Sequence, residues 1–208
     1  GENGEDNLDS SKVAIIGPGR LGTALAYKLG RDDKKVTIYY HDAELCRVIN
    51  KEHLNPKHLT DDLGRLSGGK ENVPKLPSNV SATNDLERIV EENDFIFLAV
   101  TVNRLPELLN YLKQAISKRK GNTCFISPIK GLASDQKTKE LITPSQIINN
   151  NLFDLSRKYK IVCIGGPFFD VDIALGKPVC VTVAGSKKMS KVVRSEIIRC
   201  DRSELTSW

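Results

Sequence analysis

Three glycines define the chemistry open to this chain. Gly17-Pro18-Gly19-Arg20-Leu21-Gly22 reads G-x-G-x-x-G and directly follows Lys12-Val-Ala-Ile-Ile16, four apolar residues in a row after a lysine. Such a run suits a strand buried on both faces. A helical pattern opens at Arg20, so the motif has the strand, turn and helix around it that it requires. In that setting Gly17 permits the tight turn. Gly19 removes the Cβ that would keep a pyrophosphate from the backbone, and Gly22 lets the helix pack close to the sheet. The free N–H groups and partial positive charge of the helix N-terminus then hold the phosphates, with Pro18, Arg20 and Leu21 completing the loop. The alternative is a glycine turn that binds nothing.

The choice of dinucleotide depends on the end of the second strand. An acid about 20 residues beyond the glycines would hydrogen-bond the ribose and select NAD, and Asp42 has that spacing from Gly22. Asp42 also stands where it would N-cap a helix starting at Ala43, and both readings stay open. No Arg stands at the strand end to take a 2′-phosphate, and Arg47 is more than a turn into the helix. The expectation is NAD, with NADP not excluded. Tyr39 and Tyr40 end the strand and could flank an adenine, although tyrosines there are more often packing.

These residues need a frame. Apolar runs predict strands over 12–16, 35–40, 79–83, 94–100, 123–127, 160–164 and 178–184. Helical spacing predicts helices over 20–29, 43–52, 85–92 (capped by Asn84) and 104–118. Residues 55–78, with Pro56, Gly64, Gly68, Gly69, Pro74 and Pro77, read as irregular. Alternating strands and helices mean βαβ units. The fold expected is a doubly wound, mostly parallel α/β sheet of Rossmann type with helices on both faces, whose crevice lies at the carboxyl ends of the strands. The organisation expected is an acidic flexible segment 1–11, the Rossmann domain 12–198, and a short tail 199–208.

Composition agrees with a soluble globular protein: 208 residues, 39% apolar and 27% charged. The apolar runs are far shorter than a membrane span, and residues 1–11 lack the apolar stretch of a secretory signal. Five cysteines, odd in number and never in a C-x-x-C pair, argue against disulfide or metal frameworks and for a reducing compartment, the cytoplasm. Cys163 and Cys180 lie in strands as small apolar groups, and nothing around His53 or His58 suggests a metal. The net charge of +5 is distributed over small basic groups, including Lys118-Arg119-Lys120 and Lys187-Lys188. Solvated surface is the plainer reading; anion attraction is the functional one. No nucleic-acid-binding motif accompanies them.

Behind the fingerprint come Asn55-Pro-Lys-His-Leu59, Leu76-Pro-Ser-Asn-Val-Ser-Ala-Thr83, Ser127-Pro-Ile-Lys-Gly131 and Gly165-Gly-Pro167, in that order. In this series, over roughly residues 12–198, the chain resembles the N-terminal domain of NAD-dependent glycerol-3-phosphate dehydrogenase. The resemblance implies interconversion of dihydroxyacetone phosphate and sn-glycerol 3-phosphate with NAD, and a lysine of the K-G pair, here Lys130, beside nicotinamide and substrate. Lys130 also follows a strand's carboxyl end, where a cation can meet the charge that develops on a ketone oxygen. Val100 at the end of the 94–100 strand and Thr101 after it fall on the family's cofactor contacts in this resemblance, as does the Gly166-Pro167 segment with Asp170.

The chain departs from the family pattern at Leu21, at Thr101-Val102-Asn103, and at Asp170 and Asp172, where a small Ala and a Glu are usual. The family's second, helical domain, on the order of 100–150 residues, is expected to lie outside this chain. It carries the phosphate-gripping arginine and an acid–base partner, so the chain alone is expected to be inactive. A homodimer is left open. The competing reading is a catalytically inactive NAD-binding or regulatory module that keeps the fold. Nucleic-acid binding ranks last.

Overall fold

The computed structural model describes residues 7–17, 19–128, 133–134, 141–165, 170–176 and 182–199. The chain starts in the middle of its sheet. Strand β1 (Lys12–Ile16) leads into α1 (Arg20–Arg31), β2 (Lys35–Tyr39), α2 (Ala43–Glu52), a short α3 (Thr60–Leu66) and β3 (Val80–Thr83). It then returns through α4 (Leu86–Glu92) to β4 (Phe95–Leu98), α5 (Leu105–Lys118) and β5 (Thr123–Pro128). A pair of two-residue strands, β6 (Ala133–Ser134) and β7 (Leu141–Ile142), precedes α6 (Pro144–Asn151), β8 (Tyr159–Gly165), α7 (Asp170–Ala174), β9 (Thr182–Gly185) and α8 (Lys187–Val192).

The main sheet has the order β3-β2-β1-β4-β5-β8-β9. Six strands run parallel, and β9 pairs antiparallel with β8. Because the chain winds outward from β1 in one direction and from β4 in the other, the order reverses between these two strands. That switch point is where a crevice opens beyond the strand ends.

Burial on both faces explains the apolar runs. Val13 and Ile15 join one core with Phe95, Phe97, Leu25 and Leu29, whereas Ala14 and Ile16 join the other with Ile96, Leu98, Leu109 and Leu112. Successive strand residues point to opposite faces, so one strand feeds both cores. Helices α1 and α2 cover the first face; α4, α5 and α6 cover the second.

Some expectations need correction. Residues 55–78 are not wholly irregular: Leu59 and Leu63 are buried four residues apart and draw α3 onto the core. Asp85, not Asn84, caps α4, accepting from the Arg88 N–H at 3.0 Å. Helix α6 was not foreseen, though Thr143 and Gln146 form a capping box at its start. Strand β4 is shorter than 94–100, and of 178–184 the described part is a strand from Thr182.

At the opposite end of the sheet, the Arg119 guanidinium is buried to 7% exposure. It donates to the carbonyls of Val90, Glu91, Asn93 and Asn122 and pairs with the Asp94 carboxylate. This one side chain ties the end of α4, the start of β4 and the approach to β5 together.

Candidate functional site

The glycine loop lies at the switch point. The Ala99 N–H donates to the Ile16 carbonyl at 2.8 Å, extending the β1–β4 pairing to the place where the chain turns. Gly17 follows with φ +152°, and a Cβ there would sit 2.2 Å from the Ala99 carbonyl oxygen. Both facts require glycine. A Cβ on Gly22 would meet the Gly17 carbonyl oxygen at 2.4 Å, so this glycine seats α1 on the loop as much as on the sheet.

Gly19 is different. It has an ordinary φ of −85°, and a Cβ built there meets nothing within 4 Å among the described residues. The packing of the described residues therefore does not demand glycine at this place, which is the condition expected where a ligand approaches the backbone. The 12-residue α1 has no side-chain cap and no acid in its first turn, while Lys28 and Arg31 occupy its last. Its N-terminal partial positive charge is thus offset by no carboxylate of its own.

A buried polar cluster supports the loop. Thr23 donates its hydroxyl to the Gly19 carbonyl at 3.1 Å. Asn55, 1% exposed, donates from Nδ2 to Thr23 Oγ1 and to the Tyr40 hydroxyl, both at 3.1 Å. The segment after Asn55 is thereby fastened to the first turn of α1. Arg20 pairs with Asp62 of α3, which also holds Arg65. His58 stands near enough for the charges of Arg20 and Lys57 to matter. Burial first, then those two cations, hold its imidazole below the usual histidine range.

A cleft of about 630 Å³ opens beyond β2 and β4, lined by Tyr39, His41, Val100, Arg104, Leu108 and Tyr111 among others. Val100, expected to end the 94–100 strand, lies two residues beyond β4 and on the lining of this cleft. Thr101 is exposed and accepts the Arg104 N–H on its carbonyl at 3.0 Å, closing a turn before α5. Arg104, Leu108 and Tyr111 recur at helical spacing along one side of α5, and His41 follows β2. None of these four was singled out, because their pattern is also that of an ordinary amphipathic helix and a strand end.

Two expected ligand contacts are otherwise engaged. The Tyr40 ring is 1% exposed and its hydroxyl is held by Asn55, so it packs in the core and offers no face to a ligand. Asp42 caps α2, its Oδ1 accepting from the Glu44 and Leu45 N–H groups at 3.0 and 3.1 Å. Asp170 opens α7, and α7 approaches α1 through the Arg31 guanidinium, which reaches the Ala174 carbonyl. Pro18, Lys130 and the Gly166-Pro167 pair lie outside the described residues.

A doubly wound parallel sheet with a glycine turn at its switch point defines a Rossmann-type domain. Within that class the chain belongs to the family described as the NAD-dependent glycerol-3-phosphate dehydrogenase N-terminus, whose model matches residues 12–191. It is 28% identical over 195 residues to a glycerol-3-phosphate dehydrogenase (NAD(P)+) of Treponema denticola, covering 91% of this chain and 51% of that protein. It is 32% identical over 178 residues to one of Bacillus subtilis, covering 86% and 46%. The chain spans about half the length of the curated relatives it matches. Among solved structures, glycerol-3-phosphate dehydrogenase from Coxiella burnetii superposes with a TM-score of 0.70 at 21% identity, over 89% of this chain and 50% of that one. The Plasmodium falciparum enzyme gives 0.71 at 22%, over 90% and 49%. These two likenesses speak for the fold.

Proposed function

We propose that the chain is the cofactor half of an NAD-dependent glycerol-3-phosphate dehydrogenase, holding a nicotinamide dinucleotide across the strand ends. Gly17, Pro18, Gly19, Arg20, Leu21 and Gly22 receive the pyrophosphate. The cleft beside Tyr39, His41 and Val100 takes the adenosine end, with Thr101 and Asp42 at its margins. Lys130 polarises the oxygen of the triose phosphate, and Asp170 borders the nicotinamide end. The dinucleotide, when bound, supplies or accepts the hydride that interconverts dihydroxyacetone phosphate and sn-glycerol 3-phosphate. The chain's own contribution is binding, orientation and one cation; phosphate recognition and proton transfer fall to a second domain.

The observation that carries this reading is Gly19, a glycine in unstrained backbone whose missing side chain leaves open space among the described residues at a helix N-terminus. NADH fluorescence titrated with the wild type should saturate. Gly19→Ala should weaken that binding by about tenfold or more while the thermal midpoint holds. Absence of binding at millimolar NADH, or a variant that binds like the wild type, rules the reading out.

A reducing location is consistent with Cys46, Cys124 and Cys163, which are free thiols, and the cytoplasm is the compartment we infer. Among the described residues no helix is long and apolar enough to cross a membrane.

A further inference from the structure

At one edge of the sheet the second face is left open. Helix α6 packs on this face through Ile147 and Ile148, while Ala184, Gly185 and Ser186 at the end of β9 are exposed. Between them lies a cavity of about 400 Å³, floored by Ile161 and Cys163 of β8 and by Ala184, the register partner of Cys163. It runs beside the first half of β8, away from the strand ends where the glycine loop lies, and the reading above uses none of it.

The walls supply donors. Ser145 and Asn149, four residues apart on α6, line the cavity with Ser156 and Ser186. The buried Tyr159 donates its hydroxyl to Asn149 Oδ1 at 2.9 Å, so the amide oxygen is held and Nδ2 is left to donate, with no acceptor among the described residues. Lys160 lines the same cavity, is exposed, and its ammonium likewise has no partner among the described residues.

No carboxylate lines the cavity among the described residues. Asp154, whose charge reaches Tyr159, is paired with Lys113 at 3.2 Å. Burial pushes the Cys163 thiol up, so the floor stays neutral. Arg157 and Lys187 follow Ser156 and Ser186 in the chain and add positive charge nearby. An ammonium, an amide and hydroxyls that meet from α6, β8 and β9 suit an anion with several acceptor oxygens. A phosphate has that many, and the volume, within the range of small-molecule sites, leaves room for a small body attached to it.

We propose that this cavity is a ligand site separate from the glycine loop and that it takes a small phosphate ester, with Lys160 and Asn149 as its main contacts. The proposal does not rest on the dinucleotide reading.

The probe is inorganic phosphate, followed through the backbone amides of Lys160, Ile161 and Ser186 in proton–nitrogen correlation spectra; the Gly19 amide reports on the glycine loop. The three amides should shift along a saturating curve with a dissociation constant on the order of 1–10 mM. Acetate, and sodium chloride at equal ionic strength, should move them little and without saturation. Lys160→Ala should weaken binding about fivefold or more. Asn149→Asp keeps an acceptor for Tyr159 but turns the donor into a carboxylate, so it should abolish the response at these amides while the thermal midpoint and the Gly19 response hold. No saturating shift at about 50 mM phosphate, or a shift of Gly19 alone, overturns the proposal. Chloride acting as phosphate does reduces the cavity to surface charge and also overturns it. Acetate acting as strongly overturns the choice of phosphate, and an Asn149→Asp variant that binds like the wild type overturns the assignment of Asn149.

Discussion

A Cβ on Gly22 would lie 2.4 Å from the carbonyl oxygen of Gly17, so the first turn of α1 rests on the loop that feeds it. The obstacle is backbone and cannot rotate away. Gly22→Ala must shift the loop or the helix, and we expect it to lower stability by about 1–3 kcal/mol. Gly19→Ala meets no atom of the described residues and keeps an allowed φ, so its cost should stay below about 1 kcal/mol. Urea midpoints of the two variants, three positions apart in one loop, check the contrast. Equal losses would mean that Gly19 is held by packing after all.

Strands β1 and β4 were legible because each is a run of apolar residues buried on both faces, and the glycine loop because its whole motif is contiguous. Helix α3 was hidden by Pro56, Gly64, Gly68 and Gly69 around it, although Leu59 and Leu63 carried the helical spacing. The polar supports of the site were illegible for a different reason. Asn55 meets Thr23 across 32 residues of sequence, and Lys57 meets Asp42 across 15. Such pairings follow from the winding of the sheet and leave no periodic trace in the chain. Asp42 had two readings from its position; the cap is now seen, and the ion pair with Lys57 was in neither.

Asn55, Tyr40 and Thr23 form a unit whose members should be coupled. Asn55→Ala leaves two buried hydroxyls without their shared donor and should destabilise by about 1–3 kcal/mol. Tyr40→Phe removes one acceptor while Asn55 keeps Thr23, and should cost about 0.5–1.5 kcal/mol. In the double variant the losses should fall short of their sum, as expected for groups in one hydrogen-bonded cluster. A double-mutant cycle read by denaturant unfolding measures this. Strict additivity would deny the cluster.

Arg119 is the corresponding support at the other end of the sheet. Its truncation to Met exposes four carbonyl partners and the Asp94 carboxylate to imperfect solvation, with an expected loss of about 2–4 kcal/mol. Arg119→Lys restores the charge but not the planar set of donors, so it should recover less than half of that loss. Thermal midpoints decide, and full rescue by lysine would reduce the role of Arg119 to its charge.

The thiols should divide by burial. Burial pushes the Cys124 thiol up to about 12, and Cys46 is also raised by burial first. A raised thiol has less of the reactive thiolate at any given pH. Brief iodoacetamide labelling of the native protein at pH 8, followed by peptide mass spectrometry, should leave both unmodified, while the same pulse in urea labels both. Native labelling of Cys124 would contradict its place in β5.

His58 gives stability a pH dependence of defined sign. Its folded pKa lies below 6.5 because burial and then the charges of Arg20 and Lys57 disfavour the imidazolium. The unfolded chain, with the ordinary value, therefore binds more protons in the window between the folded pKa and 6.5. Stability must fall as pH is lowered through that window, level off below the folded pKa, and be unaffected by this group well above 6.5. His58→Gln removes the proton-binding site, so the difference in urea midpoint between wild type and variant should change with pH in that window alone. Imidazole proton shifts followed by NMR supply the folded pKa directly. A midpoint difference that is flat with pH, or a resonance titrating above 6.5, would show that His58 does not share its surroundings with the cations beside the glycine loop.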